Sequence, residues 1–188
     1  MEPFTDYLLQ FGHLNANQIA LIHNKLEKRS LHKNDYFSEA GNISREIAFV
    51  VEGVMRVCFY NNKGEEVTQH FIPANNFAID LDSFQYRVFS MIYIQAVIDC
   101  EVIILNKENF DELSATIMNW DLMIQKIATK VLMDKTNMMK YMIGDDAQTK
   151  YQHFLEYYPN LANKVPLVQV ASFLGITPSS LSRIRRNK

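Results

Sequence analysis

Leu167-Val-Gln-Val-Ala-Ser-Phe-Leu-Gly-Ile-Thr-Pro-Ser-Ser-Leu-Ser-Arg-Ile-Arg-Arg-Asn-Lys188 is the stretch on which the rest of the chain is read. It predicts two short helices joined by a three-residue turn. Val170, Ala171 and Leu174 share a face of the first helix, and Leu181 and Ile184 a face of the second. Gly175 follows the first apolar stripe, where a helix must stop and the backbone often turns to positive φ. Thr177 then suits an N-cap, and Pro178 suits a first turn in which its missing N–H costs nothing. Ala171 is small, as close crossing of two helices demands. The pattern is that of a helix-turn-helix, a unit that lays its second helix in the major groove of DNA.

Charge is distributed to match. The chain has 19 Lys and Arg against 21 Asp and Glu, a net charge of −2 that by itself suits no polyanion. From Tyr157 onward, however, Lys164, Arg183, Arg185, Arg186 and Lys188 face no acid at all. Phosphates respond to charge within a Debye length of ~10 Å at 0.1 M salt, so the local excess matters more than the total. Cations near the negative end of a solvated helix are the plainer explanation of the bases. It leaves the Ala–Gly–Thr–Pro–Leu–Ile spacing unexplained.

At 188 residues, 48% hydrophobic and 12% aromatic, the chain can bury a sizeable core in one large or two small domains. No apolar run approaches the ~18 residues of a membrane span. The start, Met1-Glu-Pro-Phe-Thr-Asp, has no basic region followed by an apolar one, so no secretory signal is expected. Cys58 and Cys100 sit in apolar, strand-like runs and are expected to be reduced thiols of a cytoplasmic protein. The five histidines are scattered, with no paired spacing for a metal.

Changes of period predict an α+β architecture. Ile19, Ile22 and Leu26 predict a helix from about Asn15, its N-cap, to Arg29. From residue 36 to Asn106 the pattern is strand-like: Ile47, Phe49 and Val51 alternate, then Met55, Val57 and Phe59 beyond Gly53. Asn61-Asn-Lys-Gly64 predicts a hairpin turn. Seven apolar residues at period two, Ile92 to Ile104, predict two strands split near Asp99. Many short strands suggest an antiparallel roll over 1–116. A short helix around Glu108–Leu113 and a long one from about Asn119 to Ile143 follow, the latter dominating a segment 117–144. Ile124, Ile127, Val131 and Met138 step along it as a seam for a second copy of the chain, since a helix-turn-helix usually works in pairs. The methionines in and around this helix suit packing rather than copper, having no Cys or His beside them. Gly144-Asp-Asp146 breaks the helix, and 145–188 forms the last unit, with a helix over about Ala147–Tyr158.

The order of roll, long helix and helix-turn-helix resembles the Crp/Fnr family of bacterial transcription regulators. Three stretches carry the resemblance: Leu174-Gly-Ile-Thr-Pro-Ser-Ser-Leu-Ser-Arg-Ile184, Phe49-Val-Val-Glu-Gly-Val-Met-Arg56 and Asp99-Cys-Glu-Val-Ile-Ile-Leu-Asn-Lys-Glu-Asn-Phe110. Gly41, Gly53 and Gly64 are similar to the glycines that turn the family's strands. The resemblance implies a cytoplasmic homodimer that binds double-stranded DNA, with RNA polymerase a candidate partner and no enzymatic activity. The base-reading surface maps to Pro178, Ser179, Ser180, Ser182 and Arg183, while Thr177, Arg185, Arg186 and Lys188 fall to phosphate contact. Leu161-Ala-Asn-Lys164 is too short for the full hairpin wing of many relatives.

The nucleotide pocket departs from the family. Where its cyclic-nucleotide binders carry Gly-Glu for the ribose, this chain has Ile79-Asp80. Where they carry Arg followed by Ser or Thr for the phosphate, it has Ser90-Met91, with Arg87 out of register. A buried phosphate without a cation and free backbone donors is uncompensated. Phe77, Phe84, Phe89 and Met91 predict an apolar pocket instead, for a ligand other than cyclic AMP or for none. No cysteine precedes Asp35 to hold an iron–sulfur cluster, no axial haem ligands stand out, and no cofactor or metal is expected. The competing reading is a ligand-binding signalling module that acts through a protein partner without DNA. A cupin-like enzyme would need several metal ligands on neighbouring strands, and the roll has only His70.

Overall fold

A computed structural model describes residues 1–186. Two helices open the chain, α1 (Glu2–Leu9) and α2 (Ala16–Asn24). Asn15 caps α2 in a reciprocal box with Gln18, each side chain bonded to the other's backbone N–H at 2.9 Å. The helix stops at Asn24 rather than reaching Arg29, because β1 (Glu27–Leu31) is taken up by the sheet. Its five residues pair with β8, and that ladder overrides the helical spacing of Leu26.

Eight strands form two antiparallel sheets. The first runs β1, β8 (Cys100–Asn106), β3 (Glu46–Glu52), β6 (Asn76–Ala78). The second runs β2 (Tyr36–Ser38), β7 (Tyr93–Ala96), β4 (Val54–Tyr60), β5 (Glu66–Pro73). The period-two run of the sequence thus divides at residues 97–99 into β7 and β8, one in each sheet. Gly53 carries the chain from β3 in one sheet to β4 in the other at φ +100°. A Cβ there would lie 2.5 Å from the Asp99 carbonyl and the Cys100 sulfur, so space and backbone both demand glycine.

Alternation along the strands sorts three cores. Ala48, Val50, Val102 and Ile104 meet Met55, Val57, Ile72, Ile94 and Ala96 inside the roll, filling it. Their neighbours Phe49, Ile103 and Leu105 face the other way, onto α1, α2, α4 (Lys107–Thr116) and α5 (Trp120–Gly144). A third cluster joins Val54, Phe71 and Val97 of the roll to α6 (Ala147–Tyr157), α7 (Leu167–Leu174) and α8 (Pro178–Arg186). Each fully buried side chain of this kind contributes about 1.5–3 kcal/mol. The short α3 (Leu81–Tyr86) interrupts the strands where the sequence predicted none, capped by Asp80, which accepts from the Ser83 N–H at 3.3 Å. Asp146 restarts the helix beyond α5 by accepting from the Gln148 and Thr149 N–H groups.

The residues predicted as a seam on the long helix also pack within the chain. Ile127 belongs to the core shared with the first sheet, Ile124 and Val131 pack against it, and Met138 belongs to the core shared with α6–α8. These residues lie on the face that covers the chain's own roll, so the apolar spacing has an internal use. Turns link α6 to α7, and no strand of a wing occurs between them. No helix among the described residues is long and apolar enough to cross a membrane.

Candidate nucleic-acid interface

The predicted helix-turn-helix forms as α7, a turn of Gly175, Ile176 and Thr177, and α8. α7 buries Val170, Ala171, Phe173 and Leu174. Gly175 ends it in the left-handed region at φ +67°, where its N–H bonds back to the Ala171 and Ser172 carbonyls, and the Ile176 N–H reaches Ala171 at 3.0 Å. Two orphan carbonyls are satisfied that way. A Cβ on Gly175 would meet no atom within 4 Å, so glycine serves the backbone here and not the packing. Thr177 accepts the Ser180 N–H at 3.2 Å, and its hydroxyl also lies 3.0 Å from Ser179 Oγ and 2.9 Å from Ser180 Oγ. Its capping role is therefore direct.

Leu181 is fully buried and Ile184 packs behind it, which turns Ser179, Arg183 and Arg186 to solvent on the opposite face at i, i+4 and i+7, with partly buried Ser182 beside them. Arg185 differs from its expected role. Its guanidinium donates to the Ala162 carbonyl at 3.1 Å and lies 5.5 Å from the Tyr151 ring centre. Three residues on from Ser182 and one from Ile184, it stands on the inward side of the helix and ties α8 to α6. Lys188 lies outside the described residues.

The unit rests on the roll through contacts that the sequence did not reveal. Ser172 of α7 accepts the Thr68 N–H at 3.0 Å and donates to the Glu66 carbonyl at 3.3 Å. Tyr158 donates to the Phe71 carbonyl at 3.1 Å, and burial pushes its phenol well above the ordinary range. Beneath them Arg56, 3% exposed, donates to Gln95 Oε1 (3.0 and 2.6 Å), Glu66 (2.6 Å) and Thr68 Oγ1 (3.1 Å). A buried guanidinium needs such a set of acceptors. The only sequence signal was an arginine amid Val-Met and Val-Cys in a strand, and it does not name the partners.

Phe77, Phe84, Phe89 and Met91 do not converge on one pocket: Phe77 and Ile79 line an apolar cavity against α5, while the other three lie elsewhere. Phe77 leaves the roll interior to pack edge-on against Phe49 (5.1 Å) and Phe4 (5.7 Å), and Ile79 likewise faces the helices. Phe84 packs against Phe110 at 5.5 Å. Phe89 and Met91 are 69% and 82% exposed, and Arg87 is exposed in the left-handed region. Asp80 is spent capping α3. Ser90 is buried, but its N–H and carbonyl clasp Asn42 and Gly41, while its hydroxyl donates to the Ile92 carbonyl at 2.8 Å. Strand alternation in β6 places Ala78 inside the roll and Phe77 on its helix-facing side.

The solved structures that match carry the same architecture. FixK2 from Bradyrhizobium japonicum superposes with a TM-score of 0.75 at 14% identity, over 86% of this chain and 83% of its own. CLP of Xanthomonas campestris, a regulator responsive to c-di-GMP, gives 0.72 at 13% identity, over 92% and 91%. A regulator of the Crp/Fnr family from Eubacterium rectale gives 0.70 at 16%, over 93% and 83%. The fold is that of the Crp/Fnr regulators. No family model and no curated protein matches the sequence. These matches span 86–93% of this chain.

Proposed function

We propose that this chain is a transcription regulator of the Crp/Fnr type that binds specific double-stranded DNA as a homodimer. The observation that carries the reading is the outward face of α8. Ser179, Arg183 and Arg186 stand exposed on a locked helix, in a segment without a single acid from residue 157 onward. Arg183 presents a planar fork suited to guanine O6 and N7, and Ser179 and Ser182 can serve base edges or phosphates. Arg186 and Lys188 neutralise phosphates, and the α8 N-terminus near Thr177 and Pro178 adds backbone donors. Arg185 is left out of this set because it is committed to Ala162 and Tyr151.

The second copy docks on α5 along a face other than the one the apolar spacing predicts. Leu122, Gln125, Thr129, Leu132, Thr136, Met139 and Ile143 recur at alternating steps of three and four, and all are exposed. Leu132 is 66% and Ile143 78% exposed, unusual for leucine and isoleucine unless something covers them. Cyclic AMP is not the effector in this reading, since the filled roll and the missing phosphate cation leave it no compensated site.

Selection of bound sequences from random duplex DNA, with sedimentation of the complex, tests the whole. The expected result is a two-fold symmetric operator bound by two chains, with affinity falling steeply as salt rises. A chain that stays monomeric and ignores duplexes at low ionic strength would overturn the proposal in favour of a module acting through a protein partner.

A further inference from the structure

One histidine bridges the joint between α5 and α6. α5 runs to Gly144, and α6 starts afresh at Ala147, beyond Asp145 and the capping Asp146. Past Met138, whose sulfur lies 3.8 Å from the Tyr158 hydroxyl, α5 leaves the core. Met139, Tyr141 and Ile143 are exposed there, while Met142 still packs inward. From α6, His153 reaches back across the joint. Its ring stacks on Tyr141, with centres 4.0 Å apart and planes 27° from parallel. Nε2 lies 3.5 Å from Asp145 Oδ2, and Nδ1 lies 3.2 Å from Glu156 Oε2. A single side chain thus touches α5, the link and its own helix.

Both ring nitrogens face carboxylates, and that arrangement separates the two charge states. An imidazolium donates from both nitrogens and answers both acids. A neutral ring has one N–H, so its other nitrogen turns a lone pair on a carboxylate. The positive ring also gains from the Tyr141 face against it. His153 and Asp145 keep 27% and 33% of their side chains exposed, so their attraction is partly screened and their desolvation modest. Other charges nearby do not cancel the pair. Asp146 is occupied by the Gln148 and Thr149 N–H groups and the Thr149 hydroxyl. Lys150, three residues back on α6, makes no ion pair among the described residues and sets one cation against two acids. From α7, α8 and the roll, no ion pair or ring contact reaches His153 among the described residues.

We propose that His153 is a proton-operated latch on the helix-turn-helix unit, closed as the imidazolium and loosened as the neutral ring. α6 carries α7 and α8 through the shared core of Phe154, Tyr158, Phe173 and Leu181. The grip of His153 on Tyr141 and Asp145 therefore bears on where α8 stands relative to α5. Resting on the homodimer reading, the latch sets how firmly two α8 helices keep their separation, and a two-fold operator fixes that spacing. Histidine side chains as a class change charge between about pH 5 and 8, so the latch closes as pH falls through that window. The sign is opposite to that of His70, whose burial opposes its protonation in the folded chain.

Hydrogen exchange of the full-length protein tests the latch, comparing wild type with His153→Gln at one pH so that intrinsic exchange rates cancel. Amide protection over residues 141–157 is measured at pH 5.5 and at pH 8.5. The wild-type advantage is expected to be about fivefold larger at pH 5.5, the worth of partly exposed charge pairs. A side chain that only packs would give the same ratio at both pH values. The double variant Asp145→Asn, Glu156→Gln keeps the stack on Tyr141, and should lose protection against wild type at pH 5.5 but not at pH 8.5. A ratio independent of pH, a ratio larger at pH 8.5, or a double variant as protected as wild type at pH 5.5 would each overturn the latch. No DNA enters the measurement, so its failure and that of the DNA-binding proposal are read separately.

Discussion

Arg183 and Arg185 lie two residues apart and differ in everything that a sequence cannot show. Arg183 is exposed, whereas Arg185 is partly buried against Tyr151 and bonded to the Ala162 carbonyl. Arg183→Ala is expected to cost about 1–3 kcal/mol at the selected operator and to relax preference at one base pair, with thermal stability unchanged. Arg185→Ala should instead lower the melting temperature, and weaken DNA binding equally for every sequence. A competition assay with single-base operator variants, run beside calorimetry, separates the two. Gly175→Ala forces a side chain into the left-handed region in open space, so it should destabilise by about 1–2 kcal/mol in denaturant unfolding. Gly175, Thr177 and Pro178 were legible in the sequence because turn and cap chemistry is local. Arg185 was not, because its partners sit 23 and 34 residues away.

On α5, spacing alone could not choose between faces. A long helix with apolar residues all round offers several stripes at steps of three and four, and only packing tells which one the chain keeps for itself. Ile127 is 6% exposed against the roll, while Leu132 is 66% exposed. Ile127→Ala should therefore cost about 2–4 kcal/mol of folding stability and leave the association state alone. Leu132→Glu should do the reverse, shifting sedimentation toward the monomer with little loss of stability. If Ile127→Ala dissociated the dimer and Leu132→Glu did not, the exposed stripe would not be the interface. The helix itself, its limits near residues 120 and 144, and its break before Asp146 were evident from periodicity and the Gly-Asp-Asp run. α3 was not, since six residues are too few to establish a period.

Across the whole molecule, the helix-turn-helix unit and the roll share one core through Phe71, Phe154, Phe173 and Tyr158, floored by the Arg56 network. His70 gives that body a particular pH response. Its folded pKa of about 3 lies below the ordinary 6.5, so the unfolded chain binds the proton first as pH falls. Stability should then drop as pH falls below about 6.5, by up to about 1.4 kcal/mol per unit for one proton. Chemical denaturation at pH 7 and pH 5.5 measures it, and His70→Gln should flatten the difference. Salt supplies a second whole-molecule readout. In the proposed homodimer complex Arg186→Ala would remove one phosphate contact from each chain, so the slope of log affinity against log salt should shallow by about 1.8.

The sequence by itself determined the strands of the roll, the long helix and the turn chemistry of residues 174–178, because periodicity and caps are written in neighbouring residues. It also determined the acid-free, basic segment from residue 157 onward, on which the DNA-binding proposal rests. The tertiary structure alone decided which face of α5 is buried, that Phe77 and Ile79 turn out of the roll, and that Arg185 is a tether. Those outcomes depend on side chains far apart in the chain competing for the same buried volume, and a close-packed interior accepts only one of the locally reasonable arrangements.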